Sequence, residues 1–195
     1  MYIARFDMIG ISDLMFGTHV TEQKKTSETH VQFEQRTWKQ KVLVTPEGQV
    51  FINPFALTNG LEVAGKFLGK KIPSARGATY TDRFRKGTQT VGKLLLTNAK
   101  GKSLSIDDIE PVPLFVPSDG KRGSGKRVDR IFPTVHDWRV IGAAMYVYDG
   151  KIDDETTHEH LVAMGKFVGF GSMRVENGGV NGRFLIENFT TEPLE

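Results

Sequence analysis

Only two long segments of the chain carry a helical repeat, and each is bracketed by its own start and stop signals. In "NPFALTNGLEVAGKFLG", Asn53 can cap, Pro54 takes the first helical position and Gly69 can end the helix. Leu57, Leu61, Ala64 and Leu68 then fall on one face. Gly60 and Gly65 each weaken this helix by roughly 1 kcal/mol against Ala, so it needs packing support. In "DDETTHEHLVAMGKFVG", Asp153 or Asp154 can cap and acids crowd the first turn, where the helix dipole favours them. Leu161, Met164, Gly165 and Val168 form its apolar stripe.

The rest is patterned as strand or loop. "MYIARFDMIGISDLMFG" reads as an opening strand, and "THVTEQKKTSETH" as a loop or exposed ribbon. "RTWKQKVLVTPEGQVFI" reads as a hairpin turning at Pro46-Glu47-Gly48. "KLLLTNAKGKSLSIDDIE" gives two short strands, "VPLFV" a buried strand or extended lead-in, "DWRVIGAAMYVYDG" the longest strand and "GRFLIENF" the last. Two helices among about six strands predict an α+β fold, an antiparallel sheet with helices on one face. The order is compatible with the split βαβ repeat of the ferredoxin-like (RRM-like) fold. The expected organisation is one domain, residues 1–195, with a basic, loop-rich insertion over 66–130.

The chain has no cysteine, which excludes disulfides, zinc–thiolate sites and thiol chemistry. The N-terminus has no basic region followed by a long apolar run, and no stretch approaches the ~18 apolar residues of a membrane span. The expectation is a soluble cytoplasmic protein. Net charge is only +3, but it is unevenly spread. Residues 66–102 hold ten Lys/Arg against Asp82 alone, whereas both flanks are net acidic. That distribution points to a polyanion-facing segment, or to a solvated face paired with the acidic C-terminal third.

Four patterns carry the chemistry. "VPSDGKRGSGKRVDR" nearly matches the phosphate-cradling P-loop through Gly120, Gly125 and Lys126. The Ser or Thr that would ligate magnesium is replaced by Arg127, and Pro133 arrives before any helix can form. Nucleoside triphosphate hydrolysis is therefore not expected. The glycines still let backbone amides approach an anion, with Lys121, Arg122, Lys126, Arg127 and Arg130 supplying charge. A solvated loop is the alternative. "IPSARGATYTDRFRKG" interleaves Arg76, Arg83, Arg85 and Lys86 with Tyr80 and Phe84. The cations suit phosphates and the rings suit base stacking, unless the rings anchor the core instead.

In "HEH", His158 and His160 stand two apart, which on a helix makes the rings diverge. Both are expected at the surface rather than on a metal. "HDW" offers His136 and Asp137, with Asp129, as a weak metal-nuclease set. There is no G-x-S-x-G, and the doublets Asp107-Asp108 and Asp153-Asp154 read as a turn and a cap. The C-terminal "GKFVGFGSMRVENGGVNGRFLIENF" is punctuated by six glycines around Arg174 and Arg183. Such density allows close approach to a phosphate or to another chain segment, or simply builds a long hairpin.

This last stretch, a helix followed by "GFGSMRVENGGVNGRF" and a closing strand, resembles the glycine-rich loop of the RAMP superfamily. Those are RNA-binding proteins of CRISPR effector complexes, including backbone subunits that polymerise along guide RNA. The likeness covers the last 40 residues or so. It implies a modified RRM core with a large insertion. The blocks "FINPFALTNGLEVAGKFLGKKIPSARGATYTDRF", "VPSDGKRGSGKRV" and "GKFVGFGSMRVENGGVNGRF" are also similar to an uncharacterised family of phage and prophage proteins, which implies a phage or prophage origin in a bacterial host. No counterpart of a catalytic aspartate stands out, so RNA cleavage is not carried over.

The expectation is a non-enzymatic protein that binds single-stranded RNA or DNA, without cofactor or metal. Segment 66–86, loop 119–130, Arg174 and Arg183 would grip phosphate, and Tyr80 and Phe84 would stack bases. The likeness implies homo-oligomers or a larger ribonucleoprotein assembly. The alternatives are a phage structural or inhibitory protein binding a protein partner, and a metal-dependent nuclease.

Overall fold

A computed structural model describes residues 1–73, 75–118, 123 and 125–194. The elements run β1 (Tyr2–Gly10), β2 (Leu14–Met15), α1 (His30–Thr37), β3 (Phe51–Ile52), α2 (Phe55–Leu68), α3 (Thr81–Gly87), β4 (Thr88–Val91) and β5 (Leu94–Leu95). They continue β6 (Glu110–Pro117), β7 (Arg127–Val135), β8 (Arg139–Val147), α4 (Asp154–Phe167) and β9 (Phe184–Pro193). The fold is α+β with antiparallel sheets.

The main sheet has the order β4-β8-β1-β9, every neighbouring pair antiparallel. Alternation divides it into two faces. Ala4, Phe6 and Met8 of β1 and Ala143, Met145 and Val147 of β8 pack with Leu57 and Leu61 of α2 and Leu161 and Met164 of α4. Ile3 and Ala144 belong to the opposite face and lie outside that cluster. The two long helices form where their caps and stripes predicted. Asn53 Oδ1 accepts the Phe55 N–H at 3.0 Å, and Gly69 ends α2 with a left-handed φ of 59°. Asp153 caps α4, accepting the Thr156 N–H at 2.7 Å. Gly60 is where Met164 lies: a Cβ there would stand 2.1 Å from the Met164 methyl, so the missing side chain lets the helices close together.

A second sheet, β2-β7-β6, carries its own small core of Met15, Val116 and Phe132. The expected hairpin over residues 36–52 survives only in its second half, because residues 36–41 are helical instead. Thr29 and Gln32 form a reciprocal capping box that starts α1, while the bridge Val44↔Val50 closes the Pro46–Gly48 turn and leads into β3. Helix α1 docks on β7 through a buried pair. Glu34 Oε2 accepts the Ile131 N–H at 2.7 Å, and Lys41 Nζ donates to the Ile131 carbonyl at 2.8 Å and to Glu34. This satisfies a main-chain edge that β2 is too short to cover.

β6 is a strand, but an exposed one. The Ser118 N–H donates to Lys126 O, which sets the phase of the hairpin, so odd-numbered residues of β6 turn their main chain outward. Pro111, Pro113 and Pro117 hold three of those positions and remove their donors. The outer edge of the hairpin is thus closed to strand addition. No helix of the described residues is long and apolar enough to cross a membrane.

Candidate functional site

The basic segment does not present its aromatics. Tyr80 is 3% exposed and Phe84 fully buried, their rings packed on His160 at 5.5 and 4.5 Å. Helix α3 is short, and its i, i+4 spacing turns both rings toward α4 rather than toward a ligand. The expectation that they stack bases is overturned. The expectation that His160 lies at the surface falls with it, whereas His158 is exposed.

The cations around them are largely engaged. Arg83 donates to Asp149 at 2.9 Å, Arg85 to Asp82 at 2.7 Å and Glu62 at 3.3 Å, and Lys86 lies 4.0 Å from Asp82. Arg83, Lys86 and Lys66 line an open cavity of about 770 Å³ together with Glu62, Asp82 and Asp149, acids and bases in equal number. Asp149 is held below the usual carboxylate range: burial raises it, but the Lys151 N–H and Arg83 outweigh that. Arg76 is exposed and makes no ion pair among the described residues.

The P-loop likeness ends as expected, because a strand and not a helix follows Lys126. Arg127 donates to the Phe115 carbonyl at 2.8 Å and lies over the Phe115 ring, and Arg130 donates to the Ser118 carbonyl at 2.8 Å. Both brace their own hairpin, which corrects their reading as members of a loop over 119–130. Lys126 is exposed. Lys121 and Arg122 lie outside the described residues.

The nuclease set does not converge. His136 Nε2 and Nδ1 sit 2.7 Å from Glu110 and 3.1 Å from Asp13, while Asp137 accepts the Ala99 N–H and Asp129 lies on the hairpin. The bonds to Glu110 and Asp13 push the imidazole above its ordinary value. Among the described residues no group of three His, Asp or Glu could hold a metal.

The glycine-rich stretch first serves packing. A Cβ at Gly171 would stand 2.2 Å from the Met15 carbonyl, and one at Gly182 would stand 2.0 Å from the Phe170 carbonyl. The chain is thereby pressed against β2 and folded back tightly on itself. Arg174 is bound to Glu176 through Nε at 2.7 Å and through Nη2. Arg183 is exposed, and its N–H donates to Ser12 Oγ at 2.9 Å.

That pressing builds a groove. Two cavities of about 290 and 310 Å³ share Asn53, Ala56, Gly171 and Arg174, and so run together along the first turns of α2. Phe55, 72% exposed, and Asn59 line one end, and Phe16 and Ser172 the other. The groove joins an accessible ring, a guanidinium, two carboxamides and glycine backbone. Of these the sequence pointed to Arg174 and the glycines. Asn53 reads as a cap and Phe55 as a helix start. The available signal was that Phe55 lies two residues before Leu57, on the face opposite the apolar stripe.

No protein-family model matches the chain, and no curated protein matches it.

Proposed function

We propose that this is a non-enzymatic, single-stranded nucleic-acid-binding protein on a ferredoxin-like core, with the strand passing through the groove at the start of α2. The observation that carries the reading is Phe55, a phenyl ring 72% exposed beside Arg174 in a groove of nucleotide size. A nucleotide needs a flat apolar surface, a cation near its phosphate and hydrogen-bonding groups at its base edge. Phe55, Arg174 and the carboxamides of Asn53 and Asn59 are those groups. The ten cations of residues 66–102 add long-range attraction, even where short-range pairs occupy them.

The core reading is supported by the strand order β4-β8-β1-β9, with α2 between β1 and β4 and α4 between β8 and β9. The resemblance to RAMP proteins and to phage proteins is of the same kind, and RNA is the first ligand to test.

The test is fluorescence anisotropy with labelled single-stranded RNA, single-stranded DNA and duplex at two salt concentrations. Binding should favour a single strand and weaken steeply with salt. Phe55→Ala should cost about 1–3 kcal/mol of binding without changing the salt slope. Arg174→Ala should lower both affinity and slope, the slope by about one. No binding at micromolar protein and low salt would overturn the reading.

A further inference from the structure

The groove at the start of α2 is two cavities long, and only one of them is lined by Phe55. Their volumes are nearly equal, about 290 and 310 Å³, each close to the ~300 Å³ at which small-molecule sites begin. Asn53 and Arg174 line both, so they stand where the cavities join. Glu176 holds Arg174 through Nε and Nη2 and leaves Nη1 without a partner among the described residues. No Asp or Glu lines either cavity, in contrast to the larger cavity beside α3.

The cavity beyond Arg174 is walled by Phe16, Leu43 and Phe51, with the hydroxyls of Thr18 and Ser172. Beside it stands Lys93. β3 and β5 pair Phe51 with Leu95 and Ile52 with Leu94, and that register carried one step on sets Lys93 opposite Asn53. The side chain leans across the ribbon, with Nζ 4.8 Å from the centre of the Phe51 ring. Lys93 is exposed and makes no ion pair among the described residues. Glu47 feels its charge without pairing with it; that carboxyl is held below the usual range first by its own N–H and then by Thr45.

We infer that the groove holds two successive nucleotides of one strand. One base lies on Phe55 and the linking phosphate at Arg174. The second base enters the cavity of Phe16 and Phe51, and its outer phosphate meets Lys93. An apolar cavity with a cation at each end suits a base joined to two phosphates. A peptide or acyl chain, which carries no anion on both sides of its apolar part, matches it less well. The inference rests on the reading of the groove as a single-strand site and extends that site by one nucleotide. It also gives Lys93 a role that its place in a turn between two short strands does not announce.

Competition against a labelled single-stranded octamer, read by anisotropy on the full chain, tests this with two unlabelled probes. One is a mononucleotide phosphorylated at both ends, the other a dinucleotide phosphorylated at both ends. The dinucleotide should compete at least about five-fold more strongly, the low end of what one further stacked base contributes. Lys93→Ala should remove most of that gain and leave the mononucleotide unchanged, and Lys93→Arg should restore it. Phe55→Ala should weaken both probes alike. Lys93 is exposed, so its variants should match the unaltered chain by circular dichroism. A dinucleotide no stronger than the mononucleotide overturns the second position and leaves the first intact. So does a Lys93→Ala variant that weakens both probes equally, or neither. An octamer that does not bind at micromolar protein overturns the groove reading itself, and the second position with it.

Discussion

His160 and His136 show how placement sets the sign of a residue's effect. His160 Nδ1–H donates to the Thr156 carbonyl at 2.7 Å, while Nε2 is buried without a partner. Protonation would put a charge between Tyr80 and Phe84, and burial pushes this imidazole below its ordinary value of 6.5. The unfolded chain then takes the proton more readily, so stability should fall as pH drops below about 6.5. His136 has the reverse sense. Glu110 and Asp13 raise it, so its contribution is complete below 6.5 and is lost as pH rises through the raised value. Urea midpoints across pH 5 to 9 should show both limbs. His160→Gln should flatten the acid limb and His136→Gln the alkaline one. Phe84→Ala should cost about 3–5 kcal/mol in the same measurement, as a core truncation does and a base-stacking residue would not. Gly182→Ala should also destabilise, because its φ is 73° and the Phe170 carbonyl blocks the new methyl. The sequence carried part of this. Two-residue spacing correctly separates His158 from His160, but it does not say which ring turns inward. The answer lay in His160 standing beside Leu161 and four residues before Met164, on the apolar stripe.

At the level of elements, what the sequence made legible followed the strength of local signals. α2 and α4 announce themselves because cap, stripe and stop agree. α1 hides because its eight residues include only two apolar side chains, Val31 and Phe33, and the telling feature is the Thr29-x-x-Gln32 box. Thr29→Ala should cost about 1 kcal/mol, read as an earlier urea transition. β7 was obscured because "RVDRIFPTV" follows a glycine-rich stretch and contains Pro133, which argues equally against helix and strand. Its place becomes intelligible only beside β6, whose prolines share one parity. Pro111→Val/Pro113→Val should return two donors to that outer edge, and aggregation on storage should rise relative to the unaltered chain.

Across the whole molecule, the α+β class was readable from element order, because two helices with strands on either side admit few arrangements. The groove was not, because its walls come from distant segments: Asn53 and Phe55 from the start of α2, Arg174 from the approach to β9, and Phe16 from beyond β2. Likewise the counter-ions that occupy Arg83 and Arg85 are placed by packing, and a count of charges along the chain cannot see them. The Glu34–Lys41 pair joins regions nearly a hundred residues apart and buries both charges. Lys41→Met should cost about 3–5 kcal/mol, since Glu34 would be left charged and alone. The same docking has a kinetic meaning. β6 and β7 are neighbours along the chain and can zip early, whereas Leu14 meets Val135 and Glu34 meets Ile131 only after the intervening residues have been drawn together. The second sheet is therefore assembled in two stages, and its seam with β2 and α1 is the last to form. In refolding followed by pulsed hydrogen exchange, amides of β6 and β7 that face one another should gain protection before the Ile131 amide does.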